Sequence, residues 1–151
     1  MARLAIPGLS ASVAVPVGWL SHVRAGDSAL VLIPPGGGDP AFGVDFGVMF
    51  RRREGRRGPL EPIVDRLMKA YVPRGGLDVW SGAVLGREYR GFEWTDGVCD
   101  VVSLVIRWDD DVVVEVESSV PGMGTSRWDA RANCELVLET MKEDPAYVDS
   151  A

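Results

Sequence analysis

Alternating apolar and polar positions predict strands in the first third of the chain. Val13, Val15 and Val17 alternate with small residues and a proline, which predicts a strand at a sheet edge, where the missing amide donor of proline costs least. The apolar run at residues 29–33 predicts a second strand, completing a hairpin. Residues 34–40 are rich in proline and glycine, so we expect an irregular loop there.

A half-buried strand and an amphipathic helix are expected next. Every second residue of the segment 42–50 is apolar, and this period of two predicts the strand. Apolar residues then recur at helical spacing from Leu60 to Tyr71, which predicts a helix lying on a sheet. Pro59 and Pro62 fit only its first turn, and Pro73 follows its end.

The pattern of residues 77–120 predicts an antiparallel meander. Strands are expected at residues 79–85, 87–94, 98–108 and 112–120, joined by links far shorter than the dozen or so residues of a parallel crossover. Asp96-Gly97 and the three aspartates at 109–111 are typical of tight turns. Glu115 and Glu117 share one face of the last strand, which we expect to be solvent-exposed.

A closing helix is expected to cover the other face of the meander. Its apolar stripe has helical spacing and consists of Ala130, Cys134, Val137, Leu138 and Met141. Ser126 and Asp129 resemble a capping box at its start. The tail from residue 143 onward is expected to be frayed.

Size and composition predict a single folded domain over residues 1–151. The chain has a mass of 16.3 kDa and is 46% hydrophobic and 25% charged, as globular domains are. It has no apolar run long enough to span a membrane and no export signal. Cys99 and Cys134 lack metal-ligand spacing and are typical of thiols in a reducing compartment, although the sequence does not say whether they are close. We therefore expect a cytoplasmic protein.

The order of these elements resembles that of the Mog1/PsbP-like family, with its DcrB-like and LpqN-like bacterial branches. The likeness rests on the Val-Pro-Val-Gly-Trp phrase at 15–19, the strand at 42–50 that precedes a helix, the Gly-Phe-Glu-Trp run at 91–94 and the closing helix. It implies an α+β fold, an antiparallel β-sheet flanked by helices in an α/β/α sandwich. It also implies mostly non-enzymatic roles. The soluble secretion-adaptor branch is the nearer one, because the chain lacks a lipidation cysteine and a signal.

Positive charge is concentrated in one block of an otherwise acidic chain. The net charge is −6, yet five arginines stand against one glutamate in residues 51–57. A guanidinium group binds a carboxylate or a phosphate through two parallel hydrogen bonds. We therefore predict that the block docks an acidic protein surface or a phosphate. The alternative is a solvated loop between strand and helix. Nucleic acid is disfavoured because the remaining acidic surface repels its backbone. The arginines are Arg51, Arg52, Arg53, Arg56 and Arg57.

Tryptophans at strand ends add a second kind of candidate contact. Trp80, Trp94 and Trp108 are expected to anchor a partner, since exposed tryptophans often dominate binding energy. The valine-rich meander also offers a face to a hydrophobic segment of a partner. No membrane insertion is expected, and homo-oligomerisation stays open.

Residues for catalysis are sparse, so we expect no enzyme, cofactor or metal. The one histidine, His22, falls in a predicted turn beside Ser21, and neighbouring side chains do not converge as a catalytic pair. An alternative is a small-ligand pocket or active site near Glu93, Asp100 and Glu115. The sequence thus predicts a non-enzymatic protein-binding module, most concretely an adaptor or chaperone for a secreted or assembled protein. A structural subunit of a larger assembly is a further alternative.

Overall fold

Short strands and two helices make up the part of the protein that the structure describes. The structure is a computed structural model, and it describes residues 2–35, 38–39, 44–71, 79–95, 99–121 and 127–143. The helices are α1 (Leu60–Tyr71) and α2 (Arg127–Leu138). The strands are β1 (Arg3–Ala5), β2 (Ala11–Ala14), β3 (Leu20–Val23), β4 (Leu30–Ile33), β5 (Gly38–Asp39), β6 (Val44–Asp45), β7 (Val48–Glu54), β8 (Val79–Val84), β9 (Arg87–Thr95), β10 (Cys99–Arg107), β11 (Val112–Pro121) and β12 (Lys142–Glu143).

The central sheet has seven strands in the order β3-β4-β7-β11-β10-β9-β8. Every neighbouring pair in it is antiparallel. The predicted meander is confirmed, because β8, β9, β10 and β11 are adjacent in the sheet in chain order. The expected turn at Asp96-Gly97 lies outside the described residues.

The two helices cover opposite faces of this sheet, which confirms the predicted α+β class of an antiparallel sheet flanked by helices. Helix α1 has the bounds that the sequence predicts, with Pro59 just before it, Glu61 in its first turn and Lys69 in its last, as suits the helix dipole. Its buried side chains pack on Phe92, Val105 and Val113 of the sheet.

Helix α2 and a small second sheet cover the other face. The buried side chains of α2, including Cys134 and Val137, join a core with Val102, Leu104 and Ile106, which alternate with the residues beneath α1. The predicted closing helix is confirmed, whereas the side chains of its proposed capping box lie outside the described part of the chain. The second sheet has the order β1-β2-β12.

The structure corrects the first predicted strand. That strand ends at Ala14 and lies in the middle of the small sheet, not at an edge. The chain then turns, with Trp19 N donating to Pro16 O at 3.0 Å and Gly18 at a φ of 85°. Val17, predicted to belong to that strand, is 87% exposed at this turn.

The predicted strand at 42–50 is also corrected. Its described part consists of two strands, and the second extends four residues beyond the predicted end. β6 ends at Asp45, and β7 runs from Val48 to Glu54 through the first three arginines. Between them, Gly47 lies so close to β4 that a Cβ there would overlap the carbonyl oxygen of Leu32. Residues 40–43 lie outside the described part of the chain.

Two regions expected to be irregular contain short strands. The predicted loop at 34–40 includes β5, which pairs with β6. The start predicted for the frayed tail, residue 143, is one residue too early. Glu143 pairs with Ala11, and its Oε1 lies 2.5 Å from Arg87 Nη2. Long-range pairing of this kind leaves no local sequence pattern.

Candidate functional site

The arginine block does not form one cluster, because β7 divides it between the two faces of the sheet. Arg51 and Arg53 lie opposite Glu115 and Val113 of β11, on the face that carries α1. Arg52 lies on the opposite face. Arg56 and Arg57 follow in the loop between β7 and α1.

Acidic side chains of the protein neutralise the arginines on the α1 face. Arg51 Nη1 lies 3.1 Å from Asp27 Oδ2, and Arg51 Nη2 lies 3.4 Å from Glu115 Oε2. Arg53 Nε lies 3.2 Å from the same glutamate oxygen. These two residues of the predicted docking block therefore already have acidic partners within the protein. Their counter-charges come from β11 and from the turn between β3 and β4.

The remaining arginines of the block differ in how far they are neutralised. Arg52 pairs with Glu54, and Arg57 Nε lies 3.1 Å from Asp111 Oδ1. Arg56 forms no salt bridge with any residue that the structure describes, and its side chain bonds the backbone oxygen of Glu54 at 3.3 Å. One exposed guanidinium thus stays available to a partner.

The turn between β3 and β4 supplies Asp27, which sequence reasoning missed. Gly26 adopts a φ of 98°, and Asp27 Oδ1 accepts a hydrogen bond from Ala29 N at 3.2 Å. Hydrogen bonds from Arg24 hold the pKa of Asp27 well below its usual range, with further support from Ala29 and Arg51. An acid two residues before an apolar strand is a common turn signal that would have placed it.

Part of the α1 face of the sheet is left uncovered beside the helix. Helix α1 packs on β9 and β10, so the strands nearer the β3 edge are left open. Two cavities of about 350 and 270 Å³ open on this uncovered surface, and Tyr71 at the end of α1 lines both. The Tyr71 ring stacks on Trp94 with 5.1 Å between ring centres.

The smaller cavity, which we call the arginine groove, combines positive charge with apolar surface. Arg66 lines this groove although it lies outside the arginine block of residues 51–57. Its position in the sequence between Ile63 and Leu67, two residues of the apolar stripe of α1, would have indicated that it lies at the edge of the helix face that packs on the sheet. The lining of the groove includes Arg53, Arg56, Arg66, Ile63, Leu67 and Val113, together with Glu115, which is already paired with Arg51 and Arg53.

The larger cavity, which we call the Glu117 cavity, is predominantly polar. Glu117 and Ser119 reach it from β11, whereas Met49 and Arg51 reach it from β7. Burial raises the pKa of Glu117, and Glu115 adds to this, while Arg51 and Arg24 act in the opposite direction. The polar and charged residues in its lining are His22, Arg24, Arg51, Tyr71, Glu117 and Ser119.

The predicted tryptophan anchors are all engaged within the protein. The guanidinium of Arg131 lies 4.3 Å from the Trp80 ring centre. Trp94 stacks on α1 and donates from Nε1 to Ser103 Oγ at 3.0 Å. Trp108 is only 7% exposed and lies beneath Arg87, so it offers almost no surface to a partner.

The meander carboxylates do not converge on one pocket. Glu115 faces α1, whereas Glu93 and Asp100 lie on the α2 face, where Glu93 approaches Arg131 at 3.8 Å. The proposed site at these three acids is therefore not formed. Glu115 and Glu117 do share a face, as predicted, but that face is half-buried rather than solvent-exposed.

The histidine and the cysteines do not lie together. His22 lies on the exposed strand β3 rather than in a turn, and it lines the Glu117 cavity. The two cysteines are thiols, and burial raises the pKa of Cys134 to about 12. Among the described residues, no three histidine, cysteine or acidic side chains stand close enough together to hold a metal ion. Neither described helix is long and apolar enough to cross a membrane.

The fold has a counterpart of known structure. No protein-family model matches the chain, and no curated protein matches it. A crystal structure of a protein from Bacteroides thetaiotaomicron VPI-5482 is similar, with a TM-score of 0.58 and 14% identity over 93% of this chain and 47% of that one. The chain thus spans just under half the length of that protein. The likeness shows a shared fold.

Proposed function

We propose that the protein is a non-enzymatic binding module that docks an acidic segment of a protein partner in the arginine groove. The observation that supports this most is the pairing of unneutralised charge with apolar surface. Neither Arg56 nor Arg66 forms a salt bridge with a described residue, and both flank the apolar side chains of Ile63, Leu67 and Val113. A segment that carries glutamates or aspartates beside leucines complements both features.

The loop that carries Arg56 is held in place before any partner binds. Arg56 N donates to Asp111 O at 3.1 Å. Arg107 donates from Nη1 to Arg56 O at 2.5 Å and from Nη2 to Gly58 O. These bonds tie the loop to the turn between β10 and β11. A fixed backbone lowers the entropy that binding must overcome.

The most concrete form of this proposal is an adaptor or chaperone for a secreted or assembled protein in the cytoplasm. Support for the adaptor role comes from the resemblance to the Mog1/PsbP-like family. Support for the compartment comes from the cysteines, which are thiols, as is usual under reducing conditions.

The docking proposal is tested with a short fluorescent peptide of alternating glutamate and leucine and a matched peptide with glutamine for glutamate. We expect the acidic peptide to bind in fluorescence anisotropy and the neutral one not to bind. The double variant Arg56→Glu/Arg66→Glu should weaken binding at least about tenfold, a change of 1.4 kcal/mol. Arg57→Glu is the matched control, because Arg57 lies in the same loop but outside the groove and is paired with Asp111. The proposal is ruled out if the acidic peptide does not bind. It is also ruled out if the neutral peptide binds as tightly as the acidic one, or if the double variant binds the acidic peptide as tightly as the parent protein does.

A second candidate function, a subunit of an assembly of identical chains, is favoured by the outermost strand. Leu20 and Val23 of β3 are 70% and 56% exposed, and β3 contains no proline or charged residue that would protect a sheet edge. Antiparallel pairing with β3 of a second copy would cover this edge. Sedimentation equilibrium should then show concentration-dependent dimers that Leu20→Lys/Val23→Lys abolishes. A monomer at all concentrations would exclude this candidate.

A further inference from the structure

We infer that the Glu117 cavity binds a small zwitterion of the free amino-acid type, with its ammonium group on Glu117 and its carboxylate on Arg24. This site is separate from the arginine groove, and it takes a small molecule rather than a protein segment. Its volume of about 350 Å³ falls within the range of small-molecule sites in proteins.

Glu117 presents its carboxylate to the cavity, where a ligand's hydrogen-bond donor can reach it. Its carboxylate is half-buried on β11 and accepts no hydrogen bond from any described residue. The raised pKa reflects the cost of this position. An ammonium group carries three donors and a compensating charge, so it removes that cost.

Arg24 presents donors for an anionic group at the same cavity. Its Nε and Nη2 bind the two carboxylate oxygens of Asp27, at 3.1 and 2.5 Å, and Nη2 also lies 3.1 Å from Met49 Sδ. This leaves the two hydrogens of Nη1 without an acceptor among the described residues. The bond pair to Asp27 fixes the guanidinium plane, so its donors are oriented before a ligand arrives.

The mixture of charges selects a ligand that carries both signs. Arg24 offers donors for an anionic group, whereas Glu117 offers acceptors for a cationic one, so a ligand with both signs makes a contact at each end. A zwitterion satisfies both ends of the site. Val31 and Met49 lie between these groups in the cavity lining, and the flexible thioether of methionine adapts to an apolar side chain of the ligand.

The site is tested by thermal unfolding of the full chain with each of the proteinogenic amino acids at millimolar concentration. We expect at least one of them to raise Tm, because a ligand that binds only the native state stabilises it. The decarboxylated amine and the N-acetyl derivative of that amino acid should each give a smaller shift, because each lacks one of the two charges. If no amino acid raises Tm, or if the amine alone is as effective, the inference is wrong.

Variants then locate the binding. In isothermal titration calorimetry, Glu117→Gln should weaken the affinity by about thirtyfold or more, since a charged hydrogen-bonded contact in a partly buried site is worth 2 kcal/mol or more. Arg24→Gln should also weaken it, and measurement well below its Tm keeps this variant informative if it is less stable. Arg56→Glu, which changes only the arginine groove, should bind normally. Unchanged affinity in Glu117→Gln would place the ligand elsewhere and overturn the inference, while leaving the docking proposal untouched.

Discussion

Arg51 of β7 and Glu115 of β11 stand directly opposite each other on neighbouring strands, with 3.4 Å between Nη2 and Oε2. Both side chains are largely buried, at 16% and 15% exposure. Because Arg51 also binds Asp27, one guanidinium joins the turn after β3 to the centre of the sheet. The arginine therefore acts mainly as an internal structural residue, and its removal leaves Glu115 paired with Arg53 alone and Asp27 with Arg24 alone.

We predict that Arg51→Met lowers the free energy of unfolding by about 2 to 4 kcal/mol, because it removes two hydrogen bonds between charged, largely buried groups. Arg57→Met is the control, because Arg57 is 83% exposed and exposed ion pairs contribute little. Urea unfolding at neutral pH measures both. Equal effects of the two substitutions would show that the buried network contributes no more than a surface pair.

Acid pH should weaken the same network through Asp27. Hydrogen bonds from Arg24 keep its folded-state pKa well below the unfolded value of about 3.9. A depressed carboxyl pKa adds stability above the unfolded value, and this stability is lost as pH falls below about 4 toward the folded value. We expect Asp27→Asn to lose about 1 to 2 kcal/mol at pH 7, the size of a charge-assisted hydrogen bond. The loss should shrink near pH 2, and a loss that is the same at both pH values would contradict the assignment.

Glu117 should have the opposite pH dependence. Its folded-state pKa lies above the unfolded value because of burial, so the native state loses stability as pH rises from about 4.3 through the folded value. We therefore predict that Glu117→Gln is more stable than the parent protein at pH 7 and that the gain disappears below about pH 4. Thermal unfolding across this range measures the effect, with the exposed Glu88→Gln as control. A less stable Glu117→Gln at pH 7 would contradict the prediction.

The sequence predicted those elements whose periodicity is local. Helix α1 buries Leu60, Ile63 and Val64 at helical spacing, and its observed bounds match the expected ones. The meander strands were recognised because their apolar runs are separated by short turns. Strand β3 was missed because all four of its residues are exposed, so it has no alternation of buried and exposed positions.

The candidate site was less predictable because its parts come from distant segments. The shared face of Glu115 and Glu117 followed from the period of a strand. The charged groups around them did not, since Arg24, a cation near Glu117, and Asp27, a partner of Arg51, lie in a turn that reaches β11 only through sheet pairing. The predicted strand ends at residue 50 because charged residues such as Arg53 do not continue its apolar alternation, and only their pairing with β11 makes them part of β7.

Gly47 should be intolerant of any side chain. A Cβ there would overlap the backbone oxygen of Leu32, and Gly47 O accepts a hydrogen bond from Ser119 N at 3.0 Å, so the backbone has little freedom to shift. We predict that Gly47→Ala costs about 2 to 3 kcal/mol, as overpacking does. Gly55→Ala is the control, since it has open space and a φ of 71° and should cost only about 1 to 2 kcal/mol. Urea unfolding compares the two variants, and a Gly47→Ala cost no larger than the control would show that β4 can move away.

Cys134 should resist thiol reagents in the native protein. Its side chain lies on the buried side of α2, and burial raises its pKa to about 12, so the reactive thiolate is almost absent at pH 8. We predict that iodoacetamide modifies Cys134 at least about a thousandfold more slowly in buffer than in urea, where its pKa returns to about 8.5. Peptide mapping by mass spectrometry measures Cys134 separately from Cys99. Rapid modification of the native protein would contradict the prediction and would mean that α2 opens from the sheet often enough to expose the thiol. If protection is lost at the same urea concentration as global unfolding, α2 and the sheet unfold together.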